Sequence, residues 1–256
     1  MRLFLIAFQF LTIVPLPVTV RCDEEDLGRS MTFFPLVGLA IGAVLAGADF
    51  LLTPLLPRQV ADLVLVALLS VVTGALHLDG LSDVCDGLAA RGSRERFLDI
   101  MKDSRVGAVG AVALVLGLGL KYQALLAVPL EYKREVLLFF PVAARLAQVQ
   151  MTVGARRARS DGLGSAFVGG ARLTQYLLSL AFTLAAAYLL LGLNGLGSLL
   201  LLSLLTWGIK SWSHQRLGGI TGDVIGCASE LNEIFCLLFL LALLGHPWAG
   251  AIGATP

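Results

Sequence analysis

The chain has 256 residues, of which 57% are hydrophobic and 14% charged, and its mean hydropathy is +0.85. Ordinary soluble domains are about 25% charged, so too few charges remain to coat a soluble core, and the high hydrophobicity excludes disorder. The net charge of +1 argues against a nucleic-acid binder, which leaves an integral membrane protein in contact with the lipid bilayer.

In chain order, residues 1–17 form a first apolar run. Arg2 is its only cation, and Pro15 and Pro17 stand where a small-residue cleavage site would be needed. The run is expected to be an uncleaved helix that lies in the interface or re-enters. Crossing a bilayer core takes about 20 apolar residues. Candidate spans are 32–56, 60–78, 106–128, 136–153, 173–192, 196–209 and 230–246. The run 196–209 is short enough to be a tilted or buried helix. The expected fold is all-α and polytopic, with about seven transmembrane helices forming one domain over 1–256. Alternating strand patterns are missing, which argues against a barrel.

Charge sets the orientation. The loops 21–30, 79–105, 154–172 and 210–229 hold Arg21, Arg29, Arg91, Arg94, Arg96, Lys102, Arg105, Arg156, Arg157, Arg159, Arg172, Lys210 and Arg216. The opposite connections hold Arg58, Lys133 and Arg134. The positive-inside rule puts the first set in the cytoplasm. That predicts a multi-pass protein of the cytoplasmic (inner) membrane, with its polar motifs on the cytoplasmic face. Cys22, Cys85, Cys227 and Cys236 have no metal-ligand spacing and read as apolar filler.

The most informative stretch is 77–105, HLDGLSDVCDGLAARGSRERFLDIMKDSR. Asp79, Asp83 and Asp86 stand at i, i+4 and i+7, which is one helical face. Three carboxylates on one face repel each other, so a cation belongs among them. Oxygen ligands suit Mg²⁺ or Mn²⁺. Each Asp at the bilayer centre would cost about 2.5–3.5 kcal/mol, so the cluster must lie at the membrane edge or in a watered cavity. Asp99 and Asp103 repeat the i, i+4 spacing. Arg91, Arg94, Arg96, Lys102 and Arg105 stand nearby. Mg²⁺-holding carboxylates interleaved with Arg and Lys suit phosphate-transfer chemistry. A solvated, salt-bridged loop is the alternative, and it fits Arg94, Glu95 and Arg96 best. His77, at the end of a span, suits either packing or the site.

Three smaller features follow. The glycine-rich stretch 216–233 reads as loop-like; its Asp223 could serve the site or cap a helix. Arg156, Arg157 and Arg159 could grip an anion or merely obey the positive-inside rule. Arg145 and Gln148 fall inside the span 136–153. An intramembrane Arg faces a cavity or a carboxylate, which makes Arg145 a substrate-site candidate.

These residues resemble the cobalamin synthase family, the adenosylcobinamide-GDP ribazoletransferases. The central motif is His77-Leu-Asp79-Gly80-Leu-Ser-Asp83-Val-Cys-Asp86-Gly87 with Ile100-Met-Lys102-Asp103-Ser104-Arg105-Val-Gly107. Residues 8–17 (FQFLTIVPLP) and 218–226 (GGITGDVIG) are similar to that family's amino- and carboxyl-terminal motifs. The resemblance implies a membrane-bound, Mg²⁺-dependent transferase. It would join adenosylcobinamide-GDP to α-ribazole or its 5′-phosphate and release GMP. Asp79, Asp83 and Asp86 would hold the metal. Lys102 and Arg105 would offset charge, and Asp103 would be the base or a second metal ligand. His77, Arg91, Ser104, Thr221 and Asp223 would line the substrate site, where Arg145 stands as a candidate on its intramembrane position alone. A homo-oligomer, or contact with other corrinoid-assembly enzymes, is compatible with it.

Two rivals stand beside this. Asp83-x2-Asp86-Gly87-x2-Ala90-Arg91 also resembles the opening of the CDP-alcohol phosphotransferase motif, but the following Asp pair comes too early, at Asp99 and Asp103. A cation-coupled transporter would place its carboxylates near mid-membrane, often in repeated halves, whereas these gather on one face.

Overall fold

The computed structural model describes residues 1–16, 22–90, 92–103, 105–159 and 162–245. Among them are eleven α-helices and no strand beyond an isolated bridge between Arg157 and Ile220. The helices are α1 (Arg2–Leu11), α2 (Glu24–Ser30), α3 (Phe34–Leu52), α4 (Arg58–Val72), α5 (Leu76–Ala89), α6 (Arg94–Ile100), α7 (Ala108–Ala127), α8 (Lys133–Thr152), α9 (Leu163–Gly170), α10 (Leu173–Leu217) and α11 (Gly222–Leu244).

Two helices form the centre. α8 is buried on nearly every side, which is the pattern of a helix enclosed by others. It packs against α3, α10 and α11, and α11 packs in turn against α5, α7 and α10. The outer helices keep apolar faces bare. On α7, Val109, Val112, Val115, Leu116 and Leu120 are exposed, while Gly110, Gly117 and Lys121 face inward. An exposed stripe at three- and four-residue spacing is a surface that water would reject and lipid accepts. The protein is a helical membrane protein.

The expected seven spans are not reached. Among the described residues four helical runs are long and apolar enough to cross a bilayer: Glu24–Leu52, α7, α10 and α11. Counting α4 and α5 as one broken span makes five. The differences have physical causes. α8 is 20 residues long but carries Lys133, Arg134, Glu135 and Arg145. α10 covers two expected spans, 173–192 and 196–209, and it is broken between them. Gly192 has φ 58°, and a Cβ on Gly195 would lie 2.3 Å from the carbonyl oxygen of Ala187. Eight residues span about 12 Å along a straight helix, so the chain doubles back at Gly192. The second limb runs to Leu217, further than expected.

The expected span 60–78 also breaks. Gly74 and Ala75 both have positive φ, at 61° and 55°. The left-handed region is unfavourable for Ala, and here it bends α5 by 89° from α4. The backbone N–H of Ile13 donates to Val72 O at 2.9 Å beside this bend. α1, at ten residues, is about 15 Å long, too short to cross. Its Ile6, Ala7 and Leu11 are buried in the core.

Candidate functional site

α5 carries the acidic face, and a glycine crossing sets it beside α11. A Cβ on Gly80 would lie 2.5 Å from Asp223 O, and one on Gly226 would lie 3.3 Å from the His77 Cα. Only residues without a side chain allow two helices this close. The crossing brings the central motif against the carboxyl-terminal one. It also corrects the loop-like reading of 216–233. Gly218 ends α10 in the left-handed conformation, and α11 begins at Gly222, with Thr221 Oγ1 accepting from Val224 N at 3.2 Å. The helix forms because Thr221 caps it and the apolar residues from Val224 onward are buried.

The basic connection after α8 closes over this crossing. Ile220 N donates to Arg156 O at 2.8 Å, and Ala158 N donates to Ile220 O at 3.0 Å. That short ladder delivers Arg159 to Asp223, 2.6 Å between Nη2 and Oδ2. Arg94 donates to Leu217 O and Ala158 O at 2.7 and 2.8 Å. It thereby ties the end of α10 to the same connection. Arg94 is exposed and pairs with Glu95 at 3.7 Å, as the solvated-surface reading expects, and it adds a clasp on a helix C-terminus, where a cation is favoured.

A cavity of about 240 Å³ opens at this junction. Phe10 lines it from the amino-terminal motif, His77 and Asp79 from the central one, and Thr221 and Asp223 from the third. Arg159, Gln148, Thr152 and Ser165 add to its polar wall. Asp83 is half-buried, and its electrostatic neighbours are Asp79, Asp223 and Asp86, opposed by Arg159. The acidic cluster thus gains a member, Asp223, from a separate element.

Asp86 has a different neighbourhood. Its two carboxylate oxygens accept from Gly107 N and Gly110 N, both at 2.8 Å. It therefore acts as an N-cap for α7 delivered from α5. Asp103 does not share a helix with Asp99, because α6 ends at Ile100. Asp103 and Asp86 line a separate open hollow together with Arg105. Arg105 pairs with Asp103 through Nε and Nη2, at 2.6 Å for the closer contact. These hydrogen bonds hold the Asp103 carboxyl well below its ordinary range, at about 2. So strongly held an anion is a weak proton acceptor.

Lys102 is exposed on the turn before Asp103. Arg91 and Ser104 lie outside the described residues. Arg145 is fully buried but does not line the cavity. It pairs with Glu233, and Lys121 joins Glu233 and Glu230 in the same buried cluster. Gln148, noted in the sequence only as a polar residue in a span, proves to line the cavity and to contact both His77 and Ser229.

The carboxylates suit a hard divalent cation in kind: they are oxygen donors in excess over their nearby cation. Their spacing is open. Among the described residues no three His, Cys, Asp or Glu side chains stand close enough to share a metal ion.

Residues 3–241 match the family model for cobalamin-5-phosphate synthase. The chain is 64% identical to the adenosylcobinamide-GDP ribazoletransferase of Geotalea daltonii, covering 96% of this chain and 99% of that one. It is 40% identical to the enzyme of the same name from Klebsiella pneumoniae, with 94% and 98% covered. It is 30% identical to that from Clostridium tetani, with 94% and 96% covered. No solved structure matches. These matches lend nothing to the CDP-alcohol phosphotransferase or the transporter.

Proposed function

The chain belongs to the cobalamin-5-phosphate synthase family, and from that premise we propose that it joins adenosylcobinamide-GDP to α-ribazole or its 5′-phosphate. A ribose hydroxyl oxygen forms a bond to the phosphorus attached to cobinamide. The bond from that phosphorus to the bridging oxygen breaks, GMP leaves with that oxygen, and the hydroxyl proton passes to a carboxylate or water. The observation that carries the proposal is the meeting of the three motif segments in one cavity, at Phe10, Asp79 and Asp223.

The residues divide the work. Asp79, Asp83 and Asp223 would supply oxygen donors for Mg²⁺, with Asp86 adjoining them. When bound, the ion neutralises diphosphate charge. Arg159 and the N-terminus of α11 attract the anionic part of the substrate. Asp79 has the exposure that proton transfer needs, and Asp103 is held ionised by Arg105 in the outer hollow. The cavity is smaller than the roughly 300–1,000 Å³ of sites for drug-sized ligands. It therefore takes the reacting phosphate and its neighbours, while the corrinoid ring stays outside. The active site faces the cytoplasm of the inner membrane, following the positive-inside charge distribution.

The test uses purified protein in detergent with adenosylcobinamide-GDP, α-ribazole and Mg²⁺. GMP and a cobamide should appear. EDTA should stop the reaction and Mg²⁺ restore it, and Asp83→Asn should fold but be inactive. Full activity in EDTA, or in Asp83→Asn, removes the metal assignment. Product from a CDP-alcohol in place of the first substrate overturns the transferase assignment.

A further inference from the structure

His77 lines the cavity, yet it is only 3% exposed. Its Nε2 lies 2.9 Å from Nε2 of Gln148. The same Gln148 nitrogen donates to Ser229 Oγ at 2.8 Å. An amide nitrogen carries two hydrogens and accepts nothing, so it must donate to both partners, and His77 Nε2 must accept. A neutral imidazole that accepts at Nε2 carries its proton on Nδ1. That Nδ1 is buried and has no hydrogen-bond partner in the structure.

A buried donor left unmade is expensive, and such groups are few in native proteins. Here the surroundings indicate what completes it. Arg159, which pairs with Asp223, lines the same cavity, as do Asp79 and, at the start of the 23-residue α11, Thr221 and Gly222, while Arg145, Glu233 and Lys121 are the buried charges that act on the ring. A cation and a long helix N-terminus gather an anion. A phosphoryl oxygen accepts hydrogen bonds and donates none, which matches an N–H whose partner has to be an acceptor.

We propose that His77 donates its Nδ1–H to a phosphoryl oxygen of the bound substrate, and that Gln148, held by Ser229, is a positioning residue that fixes the ring in the tautomer able to do so. The proposal rests on the phosphotransfer reading above. It assigns Gln148 and Ser229 no contact with the reacting atoms.

The experiment compares His77→Asn, His77→Gln and Gln148→Met in the full-length protein. An Asn amide places its N–H near the position of Nδ1, whereas a Gln amide reaches the position of Nε2. Removing one preorganised donor to a developing oxyanion lowers kcat by about 10²–10³. His77→Gln should fall by that factor. His77→Asn should stay within about tenfold of wild type, because it keeps the donor. Gln148→Met should lower kcat more than it raises KM. Nitrogen-15 spectra of histidine-labelled wild-type protein should show a His77 ring protonated at Nδ1, and Gln148→Met should lose that preference. An active wild type in which His77→Asn is as poor as a folded His77→Gln overturns the role, as does a ring protonated at Nε2. Wild-type protein that releases no GMP overturns the phosphotransfer reading and this role with it.

Discussion

Gly80 on α5 and Asp223 on α11 meet backbone to backbone, with room for no side chain between them. This contact makes one acidic cluster from two motifs more than 140 positions apart in the chain.

Gly80→Ala tests that crossing. A Cβ at 2.5 Å from a carbonyl oxygen forces the helices apart, and overpacking of this kind costs about 1–3 kcal/mol. The gain in helix propensity, about 1 kcal/mol, offsets part of it. Stability in detergent should therefore fall by up to about 2 kcal/mol, while transfer activity falls at least about tenfold as Asp223 moves from Asp79 and Asp83. Gly80→Leu should lose both. Wild-type activity in a folded Gly80→Leu would show that the spacing does not matter.

Asp86 should behave as a cap. Asp86→Ala removes the acceptors for Gly107 N and Gly110 N, and loss of a cap costs about 0.5–2 kcal/mol. Asp86→Asn keeps one acceptor oxygen and should lose less. Hydrogen exchange at Gly107 and Gly110 should quicken in the Ala variant. Unchanged exchange and stability, with activity lost in both variants, would return Asp86 to the metal set alone.

Arg145 should be structural. Arg145→Leu leaves Glu233 sharing Lys121 with Glu230 in the protein interior. Breaking a buried pair in this way costs about 3–5 kcal/mol. The double variant Arg145→Leu with Glu233→Leu keeps the Lys121–Glu230 pair and should recover part of that loss. KM of the folded fraction should stay near wild type, because Arg145 does not line the cavity. A stable single variant with a raised KM would instead support the substrate role expected of an intramembrane Arg.

The legible features were those carried by local spacing. The i, i+4, i+7 pattern placed Asp79, Asp83 and Asp86 on one helix, and α5 covers them all. The break between 192 and 196 was likewise readable, because hydropathy acts along the chain, whereas the first apolar run of 1–17 shortened to α1 at Arg2–Leu11. Asp99 and Asp103 had the same spacing, but α6 ended first, so spacing alone overreached there.

Composition and pattern alone determined a helical membrane protein, since a bilayer imposes rules that a single segment must satisfy by itself. Only the tertiary structure decided how that chemistry is shared. It gave Asp223 to the acidic cluster, Asp86 to the start of α7, Arg94 to the end of α10, and Arg145 to a buried ion cluster that does not line the cavity. Each of these outcomes depends on a partner at least 21 residues away, and no local pattern in the order of residues names that partner.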